Sequence, residues 1–156
     1  MIFRTLVAAS VTGSWLFALP AVASESTLAK IKQTSAIKLG YRENSPPFSF
    51  VADDKKAHGY SIDLCTLVAN DIARQLGIAK LDVQWVPVSA QSRFEALKSG
   101  AIDIECGNTT QTISRRADFD FSLMTFVDGA SLLYRSGENP KSLDDIKGQR
   151  IAVVSG

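Results

Sequence analysis

Histidine occurs once among the 156 residues and cysteine twice, and these scarcities remove much of the usual catalytic repertoire. His58 has no second histidine with which to complete a zinc site or a triad. It falls in the charged turn of residues 53–59, where a solvated loop side chain is expected. Cys65 and Cys106 fit none of the close spacings of zinc or thiol-redox motifs. Net charge is equally lacking. Without residues 1–23 the chain loses one arginine and no acid, so 16 basic residues face 16 acidic ones. The lysines and arginines are scattered rather than gathered into the basic stripe that nucleic-acid binding needs. Beyond residue 23 no apolar run approaches the ~20 residues of a membrane span. There is neither an internal repeat nor a low-complexity tract.

What is present begins with an export signal. Arg4 gives a positive start, residues 6–19 form a mostly apolar core broken by Ser10, Thr12, Gly13 and Ser14, and Ala21, Val22 and Ala23 read as a small-residue cleavage site. Cleavage near Ala23 leaves 133 residues starting at Ser24, enough to bury a core as one domain. In an oxidising compartment Cys65 and Cys106 are expected to pair as a disulfide, the alternative being two buried free thiols.

After a polar lead, residues 36–41 alternate as a strand, and Pro46 and Pro47 close the loop behind Arg42. Residues 48–51 suggest a second short strand. From Ser61 onward Ile62, Cys65, Val68, Ala69, Ile72, Ala73 and Leu76 recur at helical steps, and Gly77 ends that helix. Leu81, Val83, Trp85 and Pro87 alternate as the next strand. Ser89 or Gln91 opens a helix through Phe94 and Leu97, which Gly100 closes, and Ile102 and Ile104 belong to a third strand. Residues 119–122 and 130–134 read as further strands. A polar linker over residues 136–140, a short helical turn over 143–148 and a buried strand over 150–154 complete the expected order. Strand and helix in alternation argue an α/β fold with a mainly parallel sheet flanked by helices.

In such sheets ligands sit beyond the carboxyl ends of the strands. Three features fall there: Arg42, the helix start from Ser89 to Arg93, and the turn of Gly107, Asn108, Thr109 and Thr110. Gly107 lets the backbone come close to a ligand, its neighbours offer neutral donors and acceptors, and Arg115 or Arg116 presents a planar fork that matches a carboxylate. Arg116 reads as a solvated neighbour, Asp63 as a charge steadying its helix's amino end, and Trp85 as core. The set suits recognition rather than catalysis. No catalytic residue, metal or cofactor is assigned.

In these pieces the chain resembles the periplasmic solute-binding proteins of ABC importers for amino acids, family 3, and most closely the glutamate/aspartate branch. The resemblance runs from residue 30 to 156. It is carried by Gly40-Tyr41-Arg42-Glu43, Pro47-Phe48-Ser49-Phe50, Gly59-Tyr60-Ser61-Ile62-Asp63-Leu64-Cys65, Val86-Pro87-Val88-Ser89-Ala90-Gln91-Ser92-Arg93, Gly107-Asn108-Thr109-Thr110 and Arg115. It implies a type II periplasmic-binding-protein fold of two α/β lobes that close on an amino acid. By position, Arg115 resembles the grip on the ligand's α-carboxylate, Arg42 and Arg93 the pair that neutralises a side-chain carboxylate, and Asn108 and Thr110 polar neighbours of the ligand's backbone groups. Ser45 stands where binders of other amino acids carry a stacking aromatic. Ala90 and Asn108 replace serines of the acidic branch, and Asn108 resembles the Asn-Thr-Thr of broad-specificity binders.

The expected organisation is a signal peptide at 1–23, a first ligand-binding lobe at 24–135, and a linker with the first strand of a truncated second lobe at 136–156. The expected function is periplasmic capture of glutamate or aspartate by a monomer that delivers it to a membrane permease. The alternatives are a receptor's sensing domain, or a dehydratase or peptidoglycan lyase on the same fold.

Overall fold

The computed structural model describes residues 26–129 and 131–153, so the expected signal peptide and the ends of two expected strands, Ala130 and Val154, lie outside the described residues. The first described element is one the sequence reading passed over as a polar lead. Helix α1 (Thr27–Thr34) starts where the Ser26 hydroxyl accepts the Ala29 N–H at 3.3 Å, and ends at Ser35 in the left-handed region with φ 51°. It buries a single residue, Ile31, which is too little to leave an apolar stripe in the sequence.

Strand β1 (Ala36–Tyr41) alternates as expected, with Ile37 and Leu39 fully buried. Each contributes roughly 1.5–3 kcal/mol by leaving water. A small antiparallel sheet follows, made of β2 (Asn44–Ser45), β3 (Ser49–Val51) and β4 (Ala57–His58). His58 Nε2 there lies 2.9 Å from an Asp54 carboxylate oxygen on the surface. Gly59 turns the chain into α2 (Tyr60–Leu76) at φ 122°, where a Cβ would lie 2.5 Å from the Phe48 carbonyl oxygen. Ile62 and Ala69 of α2 are buried, and Cys65, Ile72 and Leu76 pack beside them on the cluster holding Ile31, Ile37 and Leu39. Val68, expected on that face, is exposed instead.

Strand β5 (Asp82–Pro87), helix α3 (Arg93–Lys98) and strand β6 (Ile104–Cys106) complete the main sheet, and α4 (Ile113–Arg116) follows it. The order is β5-β1-β6, with both pairings parallel. Asp103 ties the layers together: its carboxylate accepts from Lys30 Nζ and from the Lys38 N–H, both at 2.8 Å. Its side chain is 4% exposed, so α1 and β1 are joined through a buried charge that is paired.

The expected strands at residues 119–122, 131–134 and 150–153 do not form. Alternation records only that two faces differ, whereas a strand also needs a neighbour's backbone groups. No described strand pairs with these segments. Leu133 and Val153 stand in solvent rather than in a core. The expected turn near residue 144 does form, as a short 3₁₀ helix over Asp144–Ile146.

Candidate functional site

Parallel register brings three separate pieces of sequence to one edge. Tyr41 pairs with Pro87 on one side and with Cys106 on the other. Arg42, the Val88 to Arg93 turn and Gly107 therefore leave the sheet side by side at its carboxyl end. Each exit is pinned by a hydrogen bond. The Arg42 N–H donates to Ser49 Oγ at 2.8 Å, and that fully buried hydroxyl donates back to the Arg42 carbonyl at 3.0 Å. Ser61 Oγ donates to the Gly107 carbonyl at 2.6 Å, fastening the turn after β6 to the start of α2. Ser89 and Ser92 exchange N–H to Oγ bonds at 2.9 and 3.0 Å, which sets the turn that feeds α3.

The arginines converge. Arg93, first residue of α3, is only 7% exposed. Burial pulls its guanidinium below the usual value, Glu105 opposes that shift, and the charges of Arg42 and Arg115 add to it. Arg115 sits on α4, where Thr112 Oγ1 accepts its N–H, and its own Nη1 donates to the Thr110 carbonyl at 2.9 Å. Both guanidinium groups lie over the ring of Phe94. The guanidinium carbons of Arg93 and Arg115 are each 5.0 Å from the centroid of its ring, within the range of cation–π attraction. Phe119 continues the stack, its centroid 4.9 Å from that of Phe94, with Lys98 Nζ 5.2 Å above it.

Glu105 supplies the counter-charge. Burial pushes its carboxyl above the usual carboxylate range, against the opposing influence of Thr109, Arg93, Arg42 and the Gly107 N–H. The Thr109 hydroxyl is near enough to exert that influence without the geometry of a hydrogen bond, since Thr109 Oγ1, Glu105 Oε1 and Arg93 Nε are all buried without a partner. Gly107 makes the arrangement possible. A Cβ there would run into Glu105 Oε1 and come within 3.1 Å of Arg42 Cγ. A cavity of about 690 Å³ borders the same group, lined by Arg93, Phe94, Glu105, Gly107 and Thr109 with apolar residues of α2.

Arg42, Arg93 and Arg115 are thus brought together, and Thr110 reaches Arg115 through its carbonyl while its side chain is exposed. Asn108 is exposed in the same turn. Cys65 and Cys106 form the expected disulfide with Cα atoms 6.1 Å apart. Sequence reasoning missed Glu105, Phe94 and Ser49. A signal existed for the first: an acid between Ile104 and Cys106, inside a strand otherwise apolar, is out of place unless it is paired or functional. No group of three or more metal-ligating side chains occurs among the described residues.

Residues 37–149 match the family described as bacterial extracellular solute-binding proteins, family 3. The L-glutamate/L-aspartate-binding protein of Pseudomonas aeruginosa is 38% identical over 144 residues, 90% of this chain and 48% of that one. The glutamate/aspartate import solute-binding protein of Salmonella typhimurium is 37% identical over 87% of this chain and 45% of its own length. The chain therefore spans about half the length of the curated relatives it matches. Among solved structures, a cysteine-binding protein from Campylobacter jejuni superposes with a TM-score of 0.53 at 36% identity, over 60% of this chain and 36% of that one. An arginine-rich edge on a parallel α/β sheet and a family match over most of the described residues lead to one conclusion: this chain belongs to the bacterial extracellular solute-binding proteins of family 3.

Proposed function

We propose that this chain is the carboxylate-gripping lobe of a periplasmic protein that captures L-glutamate or L-aspartate and delivers it to an ABC-type permease, with no catalysis of its own. The observation that carries the reading is the charge at the sheet edge, where Arg42, Arg93 and Arg115 meet a single acid, Glu105. Three cations face one acid whose burial disfavours its charged form, so the edge is positive, and a dicarboxylate amino acid brings two carboxylates to it. Arginines left unpaired in a partly dry cleft cost several kcal/mol, so an acidic ligand suits this edge better than a neutral one. The named relatives that bind glutamate and aspartate support the same ligand class.

In this reading Arg115 holds the α-carboxylate, Arg42 and Arg93 the side-chain carboxylate, and Asn108 and Thr110 the ligand's backbone groups. Backbone amide shifts of residues 107–116, followed while L-glutamate, L-aspartate or L-glutamine is added to millimolar concentration, test it. Arg115→Ala should weaken the response to every amino acid. Arg42→Ala and Arg93→Ala should weaken the acidic ligands selectively, by on the order of 2–5 kcal/mol where the pair is desolvated. A stronger response to L-glutamine than to L-glutamate in the parent chain sinks the acidic assignment.

A further inference from the structure

Glu105 stands where an anionic ligand's charge would be felt. Arg42 and Arg93 act on its carboxylate from two other segments, and Arg115 acts on Arg93 from α4. The other faces bring no competing titratable group to it: α2 contributes the neutral Ser61 and disulfide-bonded Cys65, Asp103 is held by Lys30, and Asp120 is exposed. Glu105 forms no ion pair with either arginine within 4.0 Å, and both its Oε1 and Arg93 Nε are buried without a partner. The carboxylate thus acts on the arginine pair through charge while leaving Arg93 Nε open to another acceptor. Gly107 keeps it in that place, because any side chain there would displace it.

Building on the acidic-ligand reading, we infer that Glu105 competes with an incoming carboxylate for the field of Arg42 and Arg93, so that taking up an acidic ligand is coupled to protonation of Glu105. A ligand carboxylate that neutralises the arginines removes what favours the Glu105 anion, while burial continues to disfavour it. The proton comes from solvent and no covalent bond changes. A neutral side chain, placed at the same arginines, leaves their charge in force and the protonation equilibrium of Glu105 unchanged. The preference for acidic over neutral ligands therefore grows as the pH falls toward the titration of Glu105, because protonation removes its competition.

Carbon-detected NMR titration of the Glu105 carboxyl in this chain tests the coupling, with L-glutamate and L-glutamine as probes and amide shifts of residues 107–110 reporting occupancy. The expected result is a midpoint above those of the exposed glutamates, rising by about one unit on saturation with L-glutamate and unmoved by L-glutamine. Without ligand, Arg93→Gln and Arg42→Gln should each raise the midpoint, since each removes a charge that favours the anion. A Glu105 midpoint unmoved by saturating L-glutamate, or unchanged in both arginine variants, overturns the inference. If the variants shift the midpoint but L-glutamate never perturbs residues 107–110, the electrostatic coupling stands and the acidic-ligand reading fails instead.

Discussion

Arg93 and Arg115 share one aromatic neighbour, each guanidinium carbon lying 5.0 Å from the centroid of Phe94. Two like charges are thereby held close without a carboxylate between them, and the ring's negative faces offset part of their repulsion. Phe94→Leu keeps apolar volume and removes that attraction. The variant is expected to lose about 1–2 kcal/mol in urea unfolding, at the upper end for partly desolvated pairs. A change within error would show that Phe94 only fills space.

The Cys65–Cys106 disulfide joins α2 to the end of β6 across a sequence separation of 41 residues. Replacing both cysteines with serine should lower stability by roughly 3–4 kcal/mol in the loop-entropy account, measured by urea unfolding beside the oxidised parent. An oxidised parent that unfolds at the same urea concentration as the variant would contradict it.

Ser49 is fully buried, and its hydroxyl serves the N–H and the carbonyl of Arg42 together. Ser49→Ala strands both backbone groups, and a loss of about 1–3 kcal/mol is expected. Serine restored by reversion, or threonine if it fits, should recover the bonds; an alanine variant as stable as the parent would mean that Arg42 is held by something else.

For Glu105 the pH dependence has a definite sign. Its folded-state carboxyl titrates above the ordinary value of 4.5, so the folded chain holds that proton more tightly than the unfolded chain. Stability from this source is complete below about 4.5 and is lost as the pH rises through the raised folded value. Glu105→Gln mimics the protonated state throughout. Melting temperatures of parent and variant should therefore diverge with rising pH in favour of the variant, and parallel profiles from acid to neutral would refute the assignment.

Much of residues 36–106 was legible because their elements bury a patterned face. Residues 36–41 and 82–87 form the expected strands, residues 60–76 form the expected helix, and the expected pairing of Cys65 with Cys106 is present. Helix α1 escaped because it buries Ile31 alone. Residues 119–122 and 131–134 carry a strand's alternation with no described partner strand beside them, a condition that no local pattern can reveal. Of the candidate site, Arg42 and Arg93 were visible by their places at the end of a strand and at the start of a helix, and Arg115 by the family resemblance. Phe94 and Glu105 were not, since an aromatic in a helix and an acid in a strand acquire their roles only from neighbours distant in sequence.

The disulfide also decides the parity of β6. Adjacent residues of a strand alternate in facing, so the bond that fixes the facing of Cys106 fixes that of Glu105 as well. Sliding β6 by one residue against β1, whose Gly40 and Tyr41 meet Glu105 and Cys106, would exchange the two. A single-residue deletion between Ile102 and Ile104 would therefore force a choice between keeping the bridge and keeping the ladder. A two-residue change would preserve the facing of both side chains.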